Sequence, residues 1–301
     1  MKESTMRIGS YALPALLLAL AACGSSDTSS DPGFSINGKN CLKRQNVTLE
    51  EQNGATLPDK TIALTFDDGP SEVSAELSRY LKKEGVPAAF FINGANVGGA
   101  EEALDQEVAD GHLLANHTHT HAALPELDAK DVLSEVELTD KVLAGRVPAA
   151  KLYFRPPFGA WSQNVMQVIS TSAMQKYIGP VFWDIGDTVT ANTGADWDCW
   201  EDNGNGVQSP RECGDLYLKE ILAKKKGIVL MHDGPPGAGR EKTVAMVKYL
   251  VPLLKAEGYK FTRLDDVPLT PLGVAAPGAA NGGAAATSGG TTAAPGVDPC
   301  K

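Results

Sequence analysis

Residues 60–69 read Lys60-Thr61-Ile62-Ala63-Leu64-Thr65-Phe66-Asp67-Asp68-Gly69. The run from Thr61 to Phe66 is short, apolar and rich in β-branched residues, the composition of a buried strand, and two carboxylates and a glycine follow it at once. The arrangement recurs along the chain. Apolar runs over Ala88–Ile92, Leu113–Asn116, Leu152–Phe154, Pro180–Trp183, Gly227–Met231 and Tyr259–Arg263 predict further strands. Between them, amphipathic stretches over Glu72–Glu84, Glu101–Asp110, Ala129–Ala144, Gln163–Gln175, Asp215–Lys225 and Glu241–Glu257 predict helices. In the first of these Val73, Leu77, Tyr80 and Leu81 share one face, which should pack on a sheet. Strands and helices taking turns predict an α/β domain. Periodicity leaves a closed βα barrel and an open doubly wound sheet both possible.

The position of the reactive side chains says more. Asp67 and Asp68, His117, Arg155, Asp184 and His232 each stand immediately after a predicted strand. In a parallel βα fold all strands deliver their C-terminal ends to one face, so these residues should converge there. Three of the chain's 5 histidines lie in Asn116-His117-Thr118-His119-Thr120-His121. His117 and His121 are four apart, and on a helical turn both rings would point the same way and share one metal ion. A hard oxygen ligand completes such a set, and the Asp67-Asp68 pair offers one, leaving the other carboxylate to handle a proton. Two imidazoles, one carboxylate and an open position for water suit Zn2+, or another divalent cation such as Co2+. A serine hydrolase is disfavoured, because no Gly-x-Ser-x-Gly elbow is present.

The flanks are different in kind. Lys2 and Arg7 precede an apolar run from Tyr11 to Leu20, too short to span a bilayer, and Leu20-Ala21-Ala22-Cys23 follows. This pattern resembles the bacterial lipoprotein signal and implies a chain secreted across the inner membrane and anchored to the membrane by a lipidated Cys23. The expected location is the cell envelope, periplasmic or at the cell surface. Residues 24–33 and 272–299 are small, polar and free of aromatics, and read as tethers. The expected organisation is therefore a signal over 1–22, an anchored segment over 23–59, one domain over 60–270 and a low-complexity tail over 271–301. A net charge of −10 with no basic stretch argues against nucleic acid as a partner. Besides Cys23, the cysteines at 41, 199, 213 and 300 are even in number, and in an exported chain they favour Cys199 with Cys213 and Cys41 with Cys300.

The segment from Lys60 to Asp266 resembles the polysaccharide deacetylase domain, the NodB homology domain of carbohydrate esterase family four. The resemblance implies a distorted (β/α) barrel of seven or eight strands and a monomer acting on an acetylated polysaccharide. Thr65-Phe66-Asp67-Asp68-Gly69 is similar to the first family motif and implies Asp67 as general base and Asp68 as metal ligand. His117-Thr118-His119-Thr120-His121 resembles the second, implying His117 and His121 as ligands and the Thr118 hydroxyl as a brace for the loop. Arg155-Pro156-Pro157-Phe158-Gly159 resembles the third, with Arg155 orienting Asp67 and the Phe158 N–H facing the substrate oxygen. Leu230-Met231-His232 resembles the fifth, with His232 as general acid and Leu230 as a wall of the acetyl pocket.

The fourth motif departs from the pattern. Trp183-Asp184-Ile185-Gly186-Asp187 contains no Asp-Trp pair, and the next one is Asp196-Trp197. The resemblance implies Asp184 as the residue that orients His232, with Asp187 as the alternative, and places Trp183 against the substrate. In the insertion from 187 to 214, Trp197 and Trp200 either stack on sugar rings or pack a loop closed by Cys199 and Cys213. Asp202-Asn203-Gly204-Asn205-Gly206 reads as a turn, lacking the downstream Glu of a calcium loop. An N-acetyl glycan such as peptidoglycan or a chitin-like polymer is the expected substrate. An O-acetyl esterase of the xylan type and a non-catalytic glycan-binding lipoprotein are the rival readings.

Overall fold

The computed structural model describes residues 51–201, 207, 209–266 and 270–271. The signal, Cys23, both tethers, the Cys41 and Cys300 pair and the Asp202–Gly206 turn lie outside the described residues.

Strand β2 (Thr61–Gly69) is buried along its whole length, the signature of a strand covered on both faces. It lies at the centre of a parallel sheet of order β4-β3-β2-β5, with β3 over Ala88–Ile92, β4 over Leu113–Asn116 and β5 over Gly227–His232. A short strand, Lys260–Phe261, also pairs with the first residues of β2. Beyond β4 the pairing continues as isolated parallel bridges, Asn116 with Phe154, Tyr153 with Ile178 and Ile185 with Val229. The expected strands over Leu152–Phe154 and Pro180–Trp183 are therefore present as single bridges and not as ladders. Prolines at 148, 156, 157 and 180 flank these segments, and proline donates nothing to a ladder. No continuous ladder closes a barrel among the described residues, and the architecture is that of a distorted parallel α/β fold.

The helices cover the sheet through apolar faces. Helix α1 (Ser74–Lys83) buries Leu77 and Leu81, carries Lys82 and Lys83 in its last turn where the helix dipole favours cations, and stops at Gly85, whose φ is 66°. Helices α2 (Glu101–Ala109) and α3 (Ala129–Leu143) follow the predicted bounds closely, the latter capped by Asp128, which accepts from Asp131 N. Helix α4 is shorter than predicted, Gln163–Ser170. The hydroxyl of Thr171 turns back to the carbonyl of Gln167, and a separate turn, Ala173–Lys176, follows. After α5 (Asp196–Cys199), helix α6 spans Pro210–Lys224 and starts five residues before the predicted Asp215. Ser209 as N-cap, Pro210 at N1 and Glu212 at N3 form a start signal that hydrophobic periodicity overlooks. Helix α7 covers Glu241–Ala256.

The core also reaches outside the expected boundary at residue 60. Strand β1 (Gln52–Asn53) pairs antiparallel with Thr270–Pro271, Gln52 bridges to Val181, and Leu57 is buried. Phe66 and Phe90, both fully buried, stack with ring centroids 5.3 Å apart between β2 and β3. Phe90→Ala should remove about 3–5 kcal/mol of stability, read as a lower urea midpoint at unchanged m value.

Candidate active site

The parallel register brings the strand ends level: Asp67 lies opposite both Phe91 of β3 and His232 of β5, and Ile92 lies opposite Asn116 of β4. A regular strand would turn Asp67 and Asp68 to opposite faces. Here the β2–β3 register shifts between Asp67 and Gly69, and Asp68 takes a left-handed backbone with φ 71°. Both carboxylates consequently face one histidine, with His117 Nε2 3.5 Å from Asp67 Oδ2 and 3.4 Å from Asp68 Oδ1. Gly69 is required by the closeness of Asp233, because a Cβ there would sit 2.4 Å from Asp233 Oδ2.

The segment after β4 is a loop and not the expected helical turn. Thr118 and His121 both have positive φ, 68° and 63°, and this winding brings the rings of His117 and His121 to a centroid distance of 5.1 Å. The Thr118 hydroxyl has no hydrogen-bond partner, so it does not brace the loop as the family resemblance implied. That task falls to Asn116, Asn93 and Glu135. Asn116 Oδ1 accepts from Thr118 N (2.9 Å), Asn93 Nδ2 donates to His117 O (2.6 Å), and Glu135 Oε2 accepts from His119 N (2.9 Å) and Thr120 N (2.8 Å).

Asp68, His117 and His121 form a candidate metal centre, their ligand atoms all within 4.8 Å of one another. Two further observations fit a cation there. Asp68 Oδ1 is buried without a hydrogen-bond partner, although His121 Nε2 is 3.1 Å away. His117 Nδ1 is 2.8 Å from the carbonyl of Arg155, which fixes that nitrogen as the donor and leaves Nε2 with a lone pair aimed at the carboxylates. Burial opposes the charge on Asp68, but the surrounding His117, His121 and His232 hold its carboxyl well below the usual range.

Arg155 is fully buried and ties Asp67 to the scaffold. Its Nη1 donates to Asp67 Oδ1 (2.7 Å) and Thr65 Oγ1 (2.9 Å), its Nε donates to Val181 O (2.9 Å), and its guanidinium lies 4.0 Å over the Phe91 ring. Phe158, also in a left-handed conformation at φ 59°, is 68% exposed and sets its ring edge-on to His121 at 4.5 Å.

The partner of His232 differs from expectation. Asp184 instead accepts from Gly54 N (2.9 Å) and Ile228 N (2.7 Å) through one oxygen, holding the N-terminal segment against the start of β5. Asp187 accepts from the indole N–H of Trp183 (3.2 Å). The carboxylate beside His232 is Asp196, 2.8 Å from Nδ1, with its second oxygen accepting from His232 N (2.9 Å) and the Thr243 hydroxyl (2.8 Å). The Asp-Trp spelling at Asp196-Trp197, already set apart in the sequence, was the usable signal for this partner. Desolvation favours neutral His232, but Asp196 and then Asp68 and Asp67 outweigh it and raise the imidazole pKa. Asp196, although buried, is held below the usual carboxylate range by the facing His232.

Asp67, Asp68, His117, His121, Phe158, Leu230, Trp183, Trp197 and His232 line one cavity of about 430 Å³. Trp197 is 38% exposed on its wall, whereas Trp200 packs on the core and donates to the Thr243 hydroxyl (3.0 Å). The Cys199–Cys213 disulfide is formed, with Cα atoms 6.1 Å apart. Asp233 went unnoticed in the sequence. Its N–H donates to Asp67 O (3.1 Å), and the hydroxyls of Ser71 and Ser74 donate to its carbonyl and carboxylate, locking the end of β5 to the start of α1.

The geometry has known counterparts. The sequence profile of the polysaccharide deacetylase family matches residues 54–176. The chain is 30% identical over 214 residues to a chitooligosaccharide deacetylase of Bradyrhizobium sp. (strain ANU 289), covering 67% of this chain and 87% of that protein. It is 27% identical over 212 residues to the peptidoglycan-N-acetylglucosamine deacetylase PgdA of Listeria monocytogenes, covering 69% of this chain and 39% of that one. Among solved structures, the Bc1960 peptidoglycan N-acetylglucosamine deacetylase shares the fold, with a TM-score of 0.58 at 22% identity over 73% of this chain and 92% of that one.

A site of this composition should bind one divalent cation per chain. His117→Ala should abolish that binding in a calorimetric titration while circular dichroism shows the fold retained.

Proposed function

The chain belongs to the polysaccharide deacetylase family, and we propose that it hydrolyses the N-acetyl groups of a GlcNAc polymer, chitin-like or peptidoglycan, to a free amine and acetate. One observation carries the reading: a buried base with its arginine, a three-ligand centre and a histidine with its own carboxylate open into one cavity. The chitooligosaccharide and peptidoglycan deacetylases among the relatives support the amide as the bond cleaved and GlcNAc as the sugar.

Asp68, His117 and His121 would hold the cation, zinc by the chemistry of the donor set, and its role when bound is to polarise the acetyl carbonyl and acidify a water near neutral pH. Asp67, oriented by Arg155, accepts the proton of the attacking water. The N–H of Phe158 donates to the developing oxyanion from a position set before charge appears. His232, whose charged form Asp196 favours, delivers a proton to the sugar nitrogen, which is too basic to depart as an anion. Leu230 and Trp183 bound the space for the acetyl group, and Trp197 offers an apolar face to a pyranose.

The proposal extends to the cell. The signal-like N-terminal sequence and Cys23 support an exported, lipid-anchored protein working in the cell envelope. Mass spectrometry of acetylated chito-oligosaccharides incubated with the protein, with and without chelator, tests the activity. Loss of 42 mass units per sugar only without chelator is expected, and acetate release confined to O-acetyl xylan would replace this reading by the esterase.

Two sets of variants test the roles. Asp67→Asn and His232→Ala should each lower kcat by about 10²- to 10⁴-fold with the cation still bound. Asp196→Asn removes the charge that raises the His232 pKa, so protonated imidazole is lost at lower pH and the alkaline limb of the kcat profile moves down. Asp184→Asn, measured alongside, should lower stability and leave that limb in place.

A further inference from the structure

We propose that the Cys199–Cys213 disulfide and Tyr217 are positioning elements for the reaction, which hold α5 so that Asp196 orients His232 and Trp197 walls the cavity. The inference rests on the deacetylase reading and goes beyond it, to the inserted segment.

Helix α5 is four residues long, too short to keep its place through its own hydrogen bonds. Yet two consecutive residues on it serve the cavity. Asp196, fully buried, pairs with His232 at both the ring and the backbone. Trp197 lines the cavity, with its indole N–H donating to Asp187 O (3.1 Å) while the Asp187 carboxylate takes the indole N–H of Trp183 (3.2 Å). A small displacement of α5 would therefore disturb the acid and the sugar wall together.

What holds α5 is one face of α6. Cys213, Tyr217 and Glu220 follow one another at helical spacing, and each grips the segment that contains α5. Glu220 Oε2 accepts from Gly194 N (3.4 Å), the Tyr217 hydroxyl accepts from Asp196 N (2.9 Å) and donates to Leu230 O (2.8 Å), and Cys213 is joined to Cys199. The approach is close enough that a Cβ on Gly194 would lie 2.8 Å from the Tyr217 ring and from its backbone nitrogen. Tyr217 thus spans from the amide of Asp196 to the carbonyl of Leu230, two residues before His232. The disulfide is the covalent member of the three, and it grips the far end of α5 from Asp196.

The charged groups around His232 are Asp196 on α5, Asp67 and Asp68 at the end of β2, and, in the same cavity lining, Asp187, Glu201 just after α5 and Arg240 ahead of α7. Asp196 is the one among them that hydrogen-bonds to His232, so a shift in the titration of His232 reads chiefly the placement of Asp196 by the α5–α6 contact.

The test uses the metal-loaded full chain as wild type, Cys199→Ala/Cys213→Ala and Tyr217→Phe. Three readouts are taken: metal content, kcat and KM against pH, and the His232 ring titration by NMR. Both variants should keep one cation per chain. The cysteine pair variant should lose about tenfold or more in kcat, in line with the cost of a misplacement on the ångström scale, and its alkaline limb and its His232 titration should move to lower pH. KM for a long oligosaccharide should rise as the Trp197 wall relaxes. Tyr217→Phe, which keeps the disulfide, should move the limb and the titration in the same direction and serves alone if the cysteine variant does not fold. A lower melting temperature with kcat, limb and titration all at wild-type values would overturn the proposal and leave the disulfide a staple of the fold only. Wild type that releases no acetate would defeat the deacetylase reading, while the NMR titration would still decide the α5 contact.

Discussion

The buried Arg155–Asp67 pair is the interaction on which the site is built. Its guanidinium is fully buried, bonded to one carboxylate, one hydroxyl and two backbone carbonyls, and flattened on Phe91. Removing one partner of such a pair costs about 3–5 kcal/mol, because the other charge is left uncompensated. Arg155 also acts through its backbone: its N–H donates to Asn116 O (3.0 Å) and its carbonyl receives His117 Nδ1. One residue therefore fixes the carboxylate of Asp67, the tautomer of His117 and the join between β4 and the bridged side of the sheet. Asp67 and the candidate metal centre cannot move independently.

Around that anchor the backbone is held in conformations that L-residues avoid. Asp68, Thr118, His121 and Phe158 all have positive φ, Asp68 in the bulged end of β2 and the other three in the segments that follow the strands and bridges. Each such conformation costs roughly 1–3 kcal/mol and persists only where its surroundings over-determine it. Here the surroundings are explicit: the bulge in β2 for Asp68, the Asn93, Asn116 and Glu135 hydrogen bonds for the histidine loop, and for Phe158 the turn closed by Gly159 N to Pro156 O and Ala160 N to Pro157 O. The strain turns two adjacent carboxylates and two nearby histidines toward one point, which regular strands and helices would not do.

The sequence made the strand ends legible, and with them the site, because reactive residues placed just after apolar runs must meet in a parallel fold. Asp67, Asp68, His117, Arg155 and His232 come together as expected on that ground, and His121 joins them as its spacing from His117 implied. The conformation of the histidine loop was not legible, since spacing of four suggests a helix whereas left-handed residues at 118 and 121 achieve the same convergence. Asp184 was misassigned because it also follows an apolar run, and the decisive contact of Asp196 is made across the fold through α5, which no local pattern predicts. The strands at 152–154 and 180–183 dissolved into bridges where proline interrupts the ladder. Cys199 and Cys213 paired as expected, but that their bond sits beside the partner of His232 emerges only in three dimensions.

The central claim is that hydrolysis depends on one cation shared by Asp68, His117 and His121. Its most direct test is stepwise reconstitution of the chelated protein with zinc, following acetate release from N-acetylated chito-oligosaccharide against bound metal. No activity is expected without metal, followed by a linear return that saturates at one equivalent per chain. Full activity in the demetallated protein would contradict the claim.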